Sequence, residues 1–281
     1  GPALWTPLAR LLGMRIVVTH HGPDYERTKW GVLAKTMLRL GERWGVKFAH
    51  EVITIAPNIA AKLEARFHRR VKVIPNGVDL PKARSTQAAL KKYGLTSQKY
   101  FLAVGRYVPE KNFCDLIEAY QHLMASPGGR RLAGWKLVIA GRADHESAYS
   151  RRIQEMAAAV PGVVLTGFIT GPPLEELYHH AGLFVLPSSY EGLPLVLLEA
   201  LSYGLPCVMS DIPANRAVKI GLENERYFSP GDIAGLTRRL AQWAKPTTAR
   251  QRQLWRSHLL EHYAWRKIAA QTLAVYKGIL E

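Results

Sequence analysis

FVLPSSYEGLPLVLLEALSYGLPCVMSD, residues 184–211, is the stretch whose reading decides the fold. The apolar run from Leu183 to Leu186 reads as a buried strand, and Pro187, Ser188 and Ser189 break it. Glu191 and Gly192 predict a turn. A helical pattern then starts near Pro194, with Leu195, Leu197, Leu198 and Leu201 as its apolar positions. Proline suits the first helical position, because its missing N–H would be unpaired there anyway. Gly204 followed by Leu205 and Pro206 is a stop signal, and Cys207 to Met209 reads as a second strand. The unit is strand, glutamate-bearing loop, helix, strand: a βαβ element of a parallel sheet.

The chemistry predicted for this unit sits in its loop. A helix N-terminus presents unpaired N–H groups and about half a unit of positive charge, which suits a phosphate or diphosphate. Glu191 lies just before the helix and Glu199 inside it. Carboxylates beside a phosphate would repel it, so their natural partners are hydroxyls, of a sugar or of a ribose. The plainer reading makes Glu191 a loop charge and Glu199 a solvated helix residue, and spacing alone leaves both readings standing.

The run Glu191-Gly192-Leu193-Pro194-Leu195, closed by Glu199, resembles the donor-site motif of retaining glycosyltransferases of family 4, which have the GT-B fold. The resemblance extends along nearly the whole chain. Ile74-Pro75-Asn76-Gly77-Val78-Asp79, Val104-Gly105-Arg106 with Glu110-Lys111-Asn112, Val138-Ile139-Ala140-Gly141 and Tyr263-Ala264-Trp265 follow in the family's order. It implies an α/β protein of two Rossmann-like parallel-sheet domains. The expected division is 1–80 for an acceptor-side domain, 81–260 for a nucleotide-sugar donor domain, and 261–281 for a helix returning to the first domain.

Composition agrees with a globular chain that handles phosphate. The 281 residues are 48% hydrophobic and carry a formal charge of +16. Such a balance points to nucleic acid, anionic lipid or a nucleotide-linked substrate. No basic-aromatic motif supports nucleic acid. The two cysteines, Cys114 and Cys207, form no CxxC pair, no zinc cluster is evident, and no metal or cofactor is expected. There is no G-x-G-x-x-G fingerprint and no Walker loop, which argues against a dehydrogenase or an NTPase. No apolar run approaches the ~20 residues that span a bilayer. The expected setting is the cytoplasm, with peripheral contact at the inner face of the membrane as an extension.

Other segments add candidates. Met14 to Thr19 predicts a strand that stops at His20-His21-Gly22-Pro23, a place where ligands bind in open α/β sheets. The resemblance places a histidine here against the donor sugar and its phosphate; His21 aligns best, with His20 as its neighbour. Residues 25–50 predict a long helical region with Leu33, Met37, Leu40 and Trp44 at helical spacing among basic residues. It reads as a helix packed on a sheet, or as one lying on an anionic membrane surface. The composition turns polar from Pro81 to Ser97, where the domain boundary is expected.

Gly105 permits close backbone approach, and Arg106 and Lys111 would converge on an anion; the resemblance makes both ligands of the donor's diphosphate. It also counts Gly141, Gly192, Leu193 and Leu195 as donor-binding and sets Phe168 and Ile169 beside the nucleotide base. The last helix, Trp265 to Leu280, is expected to bury Ile268, Leu273, Tyr276 and Ile279.

What the resemblance implies is transfer of a hexose-type unit from a nucleotide diphosphate sugar, UDP favoured over GDP, to a hydroxyl of a glycan or lipid-linked acceptor, with retention. His21, Glu191, Arg106 and Lys111 would serve the reaction, Glu191 orienting sugar hydroxyls and Glu199 holding the ribose. The family's first domain begins earlier than this chain does, so an incomplete first sheet is expected, with self-association through its exposed edges. A nucleotide-sugar epimerase of the same fold, and a donor-binding fragment without turnover, are the alternatives.

Overall fold

The structure, a computed structural model, describes residues 2–23, 25, 31–81, 86–218 and 226–281. The chain forms two compact units: Gly1–Gly77 with Tyr263–Glu281, and Val78–His262.

The first unit holds three parallel strands, β1 (Val17–His20), β2 (Glu51–Thr54) and β3 (Lys72–Val73), in that order. The helix expected over 25–50 is present as Val32–Phe48; residues 26–30 lie outside the described residues. Its buried positions are Gly41, Glu42, Gly45 and Val46, while Leu33 is 79% exposed. The apolar spacing therefore misidentified the packed face. Bare glycines carry it: a Cβ on Gly45 would stand 3.1 Å from Ala3 Cβ, so the segment Pro2–Trp5 lies directly on the helix backbone.

The final helix, Trp265–Gly278, belongs to this unit and packs Ile268 and Val275 against Ile53 and Ile74. The expected burial of Leu273 and Tyr276 is corrected: they are 51% and 45% exposed. Two buried residues seven apart need only a narrow stripe, and the remaining apolar positions are left outside it.

The second unit is a six-stranded, wholly parallel sheet: β4 (Tyr100–Val104), β5 (Lys136–Ala140), β6 (Val163–Gly167), β7 (Leu183–Leu186), β8 (Cys207–Ser210) and β9 (Tyr227–Phe228). The spatial order is β6-β5-β4-β7-β8-β9. Burial on both faces explains why its central strands read as continuous apolar runs. Phe101, Ala103, Leu137, Ile139, Leu183 and Val185 share one core with the helix Phe113–Ala125. The strand order reverses between β4 and β7, and the crevice beyond the carboxyl ends of such a pair is where this topology receives ligands.

The sequence reading did not find the helix Ala249–Tyr263. Two of its arginines are turned inward: Arg256 Nε donates to Ser202 O at 3.0 Å, and Arg252 donates to His179 O and Ala181 O. These carbonyls close the helices Leu195–Ser202 and Pro172–His180, where a positive charge complements the helix dipole. Part of the chain's positive charge thus serves packing, and no apolar stripe announces the helix.

Candidate functional site

Two loops leave the sheet at the reversal point, Gly105–Asn112 after β4 and Pro187–Pro194 after β7. The first is laced to its neighbour by backbone bonds, Gly105 N–H donating to Ala140 O and Tyr107 N–H to Arg142 O, and the end of β5 is tied in turn to β6 by Gly141 N–H to Gly167 O, each at 3.0 Å. Gly141 has φ +149°, and a Cβ there would lie 1.8 Å from Gly105 O. Only glycine fits, so the ends of β4 and β5 approach as closely as backbones can.

Pro109–Lys111 form a single 3-10 turn, closed by Asn112 in the left-handed region at φ 50°. Asparagine tolerates that region better than most side chains. Its Nδ2 donates to Pro187 O at 3.1 Å, and Ser189 N–H donates to Glu110 O at 2.9 Å, so the two loops brace one another. Between them Lys111 Nζ stands 2.6 Å from Glu191 Oε1, with the side chains only 14% and 12% exposed. Arg106 Nη1 lies 2.8 Å from Asp144 Oδ2 in a more open position. The two cations expected to meet one anion therefore each rest on a carboxylate of their own. Among the described residues no group of three or more His, Cys, Asp or Glu is disposed to hold a metal.

The helix after the second loop runs Leu195–Ser202, one residue later than the sequence suggested. Pro194 is its N-cap, with φ −76° and ψ 86°, and Pro194 O accepts from the N–H groups of Leu197 and Leu198. Among the described residues the amides of Leu195 and Val196 have no partner, which leaves two donors at the positive end of the helix. Leu197, Leu198, Ala200 and Leu201 are buried, Leu195 is exposed at the tip, and Gly192 and Leu193 are half-buried in the loop. Gly204 terminates the helix region with φ +66°, as its sequence signal implied.

Inside the helix, Glu199 accepts a hydrogen bond at Oε2 from the Tyr178 hydroxyl at 2.8 Å. Burial pushes its carboxyl pKa up, and the Tyr178 bond pulls it the other way. Beyond β6, Phe168 is 62% exposed with the Arg142 guanidinium 4.8 Å above its ring; Ile169 beside it is half-buried.

In the first unit, His20 Nδ1 accepts from Gly22 N–H at 3.2 Å and Nε2 lies 3.0 Å from Glu42 Oε2. With Nδ1 accepting, the proton sits on Nε2 and donates to the carboxylate. Glu42 is also met by Arg66 and by Tyr25. His20 is thus committed inside this unit, and His21 is exposed. Sequence reasoning gave no role to Asn112, Asp144 or Tyr178; only Asn112 lay within a quoted motif.

The family model described as Glycosyl transferases group 1 matches residues 98–245, and that described as Glycosyltransferase Family 4 matches residues 1–82. The O-antigen chain mannosyltransferase B of Escherichia coli is 30% identical over 194 residues, covering 67% of this chain and 48% of that one. The UDP-Gal:alpha-D-GlcNAc-diphosphoundecaprenol alpha-1,3-galactosyltransferase of Escherichia coli is 30% identical over 223 residues, 75% of this chain and 55% of the other. The chain spans about half the length of these relatives. The solved structure of Anabaena Alr3699/HepE in complex with UDP and glucose superposes with a TM-score of 0.81 at 18% identity, covering 97% of this chain and 74% of that one. Likeness of that kind shows the fold, which is GT-B, as the resemblance implied. The epimerase alternative finds no support in these matches.

Proposed function

The chain belongs to the Glycosyl transferases group 1 family, and from that premise we propose that it moves a hexose-type unit from a nucleotide diphosphate sugar to a hydroxyl, with retention. The observation that carries the reading is the braced pair of loops at the reversal of the strand order. It offers Lys111, Arg106 and the free amides of Leu195 and Val196 on one side of the sheet's carboxyl edge.

When the bond between the anomeric carbon and the diphosphate breaks, negative charge develops on the leaving group. Arg106, Lys111 and the helix amides stabilise that charge electrostatically, a contribution among the largest available to such a site. The new bond to the acceptor oxygen forms on the face the diphosphate leaves, and the leaving phosphate accepts the hydroxyl's proton. Glu191, released from Lys111 when the diphosphate arrives, turns to the sugar hydroxyls. Glu199 takes the ribose, Phe168 and Ile169 border the base, and His21 keeps the role the resemblance gives it.

The acceptor is proposed to be a glycan or a lipid-linked saccharide, taken by the first unit. That unit has a cavity lined by Trp5, Thr6, Val18, His20, His21 and Glu42. On its helix Val32–Phe48, exposed Val32, Leu33 and Met37 accompany exposed Arg39, Arg43 and Lys47 and half-buried Lys35. This supports peripheral contact with an anionic membrane. Among the described residues no helix is long and apolar enough to cross one.

Calorimetric titration with UDP, GDP and their sugar conjugates, without added metal, tests the donor site. Binding of one nucleotide, weakened by about tenfold or more in Arg106→Ala and in Glu199→Ala, is the expected result. A folded chain that binds none of them refutes the reading.

A further inference from the structure

Tyr178 lies on the helix Pro172–His180, outside the motifs of the sequence, and is 2% exposed. Its ring stacks on Tyr203 at 5.4 Å and 13° and tilts against Phe184 at 5.9 Å. Phe184 comes from β7, and Tyr203 caps the helix that carries Glu199. The core therefore fixes the phenol before any ligand arrives. Burial pushes its pKa well above the ordinary value, so the hydroxyl remains a donor throughout the working range.

Glu199 presents the complementary case. Its carboxylate has four lone-pair sites, and among the described residues its side chain accepts from Tyr178 alone, at Oε2. An unanchored glutamate on a helix can rotate about three bonds. Held at Oε2, it keeps Oε1 and a remaining lone pair of Oε2 to accept further hydrogen bonds. That is what a pair of neighbouring hydroxyls requires of an acceptor.

We infer that Tyr178 is a positioning residue, clamping Glu199 so that its open oxygen meets the vicinal ribose hydroxyls of the donor nucleotide. The inference rests on the donor-site reading above and adds to it the group that sets ribose recognition. Tyr178 itself touches neither substrate nor reacting atoms.

Titration of the full chain with UDP and with 2′,3′-dideoxy-UDP tests it, in wild type, Tyr178→Phe, Glu199→Ala and the double variant, with the GDP pair run beside them. Wild type is expected to prefer the ribonucleotide by about tenfold or more, the worth of hydrogen bonds to a charged acceptor. Glu199→Ala should abolish the preference, and Tyr178→Phe should remove most of it. Adding Tyr178→Phe to Glu199→Ala should change nothing further, because the hydroxyl acts only through that carboxylate.

The failures are separable. No nucleotide bound by folded wild type overturns the donor site itself. Equal binding of the two forms leaves the donor site standing and removes Glu199 from the ribose. Undiminished preference in Tyr178→Phe overturns the positioning role, and so does equal weakening of both nucleotides that persists in the Glu199→Ala background. A Tyr178→Phe chain that does not fold overturns it too, since the hydroxyl would then be a structural group.

Discussion

Lys111 Nζ stands 2.6 Å from Glu191 Oε1 and joins the loop that follows β4 to the loop that follows β7. The pair is nearly enclosed, so breaking it by removing one partner strands the other charge. A diphosphate must win Lys111 from Glu191, and that exchange would free the carboxylate for hydroxyls as the phosphate enters. Lys111→Ala is expected to lower kcat/KM for transfer by about 10²–10³, as losing one preorganised charge at a developing anion does. It should also cost about 3 kcal/mol of stability. Lys111→Ala with Glu191→Ala should recover most of the stability and none of the transfer, as read by urea unfolding beside initial rates.

Gly141→Ala tests the close approach of β4 and β5. The added Cβ would fall 1.8 Å from Gly105 O, and backbone cannot yield as a side chain does. A loss of about 3 kcal/mol or more is expected, lowering Tm by roughly 6–12 °C. Nucleotide affinity should fall with it, because Gly105 opens the loop that carries Arg106 and Lys111. A variant with unchanged Tm would show that the strand ends do not need this contact.

Asn112→Ala removes the hydrogen bond to Pro187 O and leaves a β-carbon without polar support at φ 50°. The expected cost is about 1–2 kcal/mol. Asn112→Gly should recover the part that comes from the backbone and not the part that comes from the bond between loops. Denaturant midpoints of the three proteins separate the two contributions.

The legible parts of the sequence were those where one physical demand acts alone. Leu183 to Leu186 are buried on every side and had to be continuously apolar; Gly204 had to take positive φ and marked its helix end. Helix Val32–Phe48 misled because its packed face includes Gly41 and Gly45, which carry no hydrophobic signal, while Leu33 and Met37 face outward. The helix carrying Arg252 and Arg256 went unseen for the opposite reason, since these are charged residues that cap carbonyls inside the fold. At the site, Glu191 and Lys111 were visible as residue types, but their pairing spans 80 positions and belongs to the tertiary structure. Tyr178 gave no signal at all, since a tyrosine on a helix before a strand is ordinarily core.

Glu199 gives a pH dependence whose sign follows from its burial. Its folded-state pKa is raised above the ordinary 4.5, chiefly by burial. The stability this contributes is present in full below the unfolded value and is lost as pH rises through the folded one. At neutral pH the ionised carboxylate therefore weakens the fold, as functional charges in buried places do. Glu199→Gln is expected to be more stable than wild type at about pH 7, with the difference shrinking toward about pH 4. The same variant should bind nucleotide less tightly. Urea unfolding across that range reads the sign, and a difference that grows on acidification would contradict the assignment.

Arg106 and Asp144 form the complementary case, a pair at 2.8 Å with side chains 40% and 55% exposed. Solvent screens it, so its worth to stability is small, and Asp144→Ala is expected to change unfolding by no more than about 0.5 kcal/mol. Its effect on ligand is of another kind. The carboxylate competes with an incoming diphosphate for the guanidinium, and removing it takes away one negative charge beside the site. Asp144→Ala should therefore tighten nucleoside diphosphate binding by about two- to fivefold at low ionic strength, with the gain fading as salt shortens the screening length below about 10 Å. Arg106→Ala should weaken the same binding by about tenfold to a hundredfold, and Asp144→Ala in that background should then add little. Titrations at two salt concentrations distinguish this from a structural role for the pair, which would move unfolding and leave the salt dependence of binding untouched.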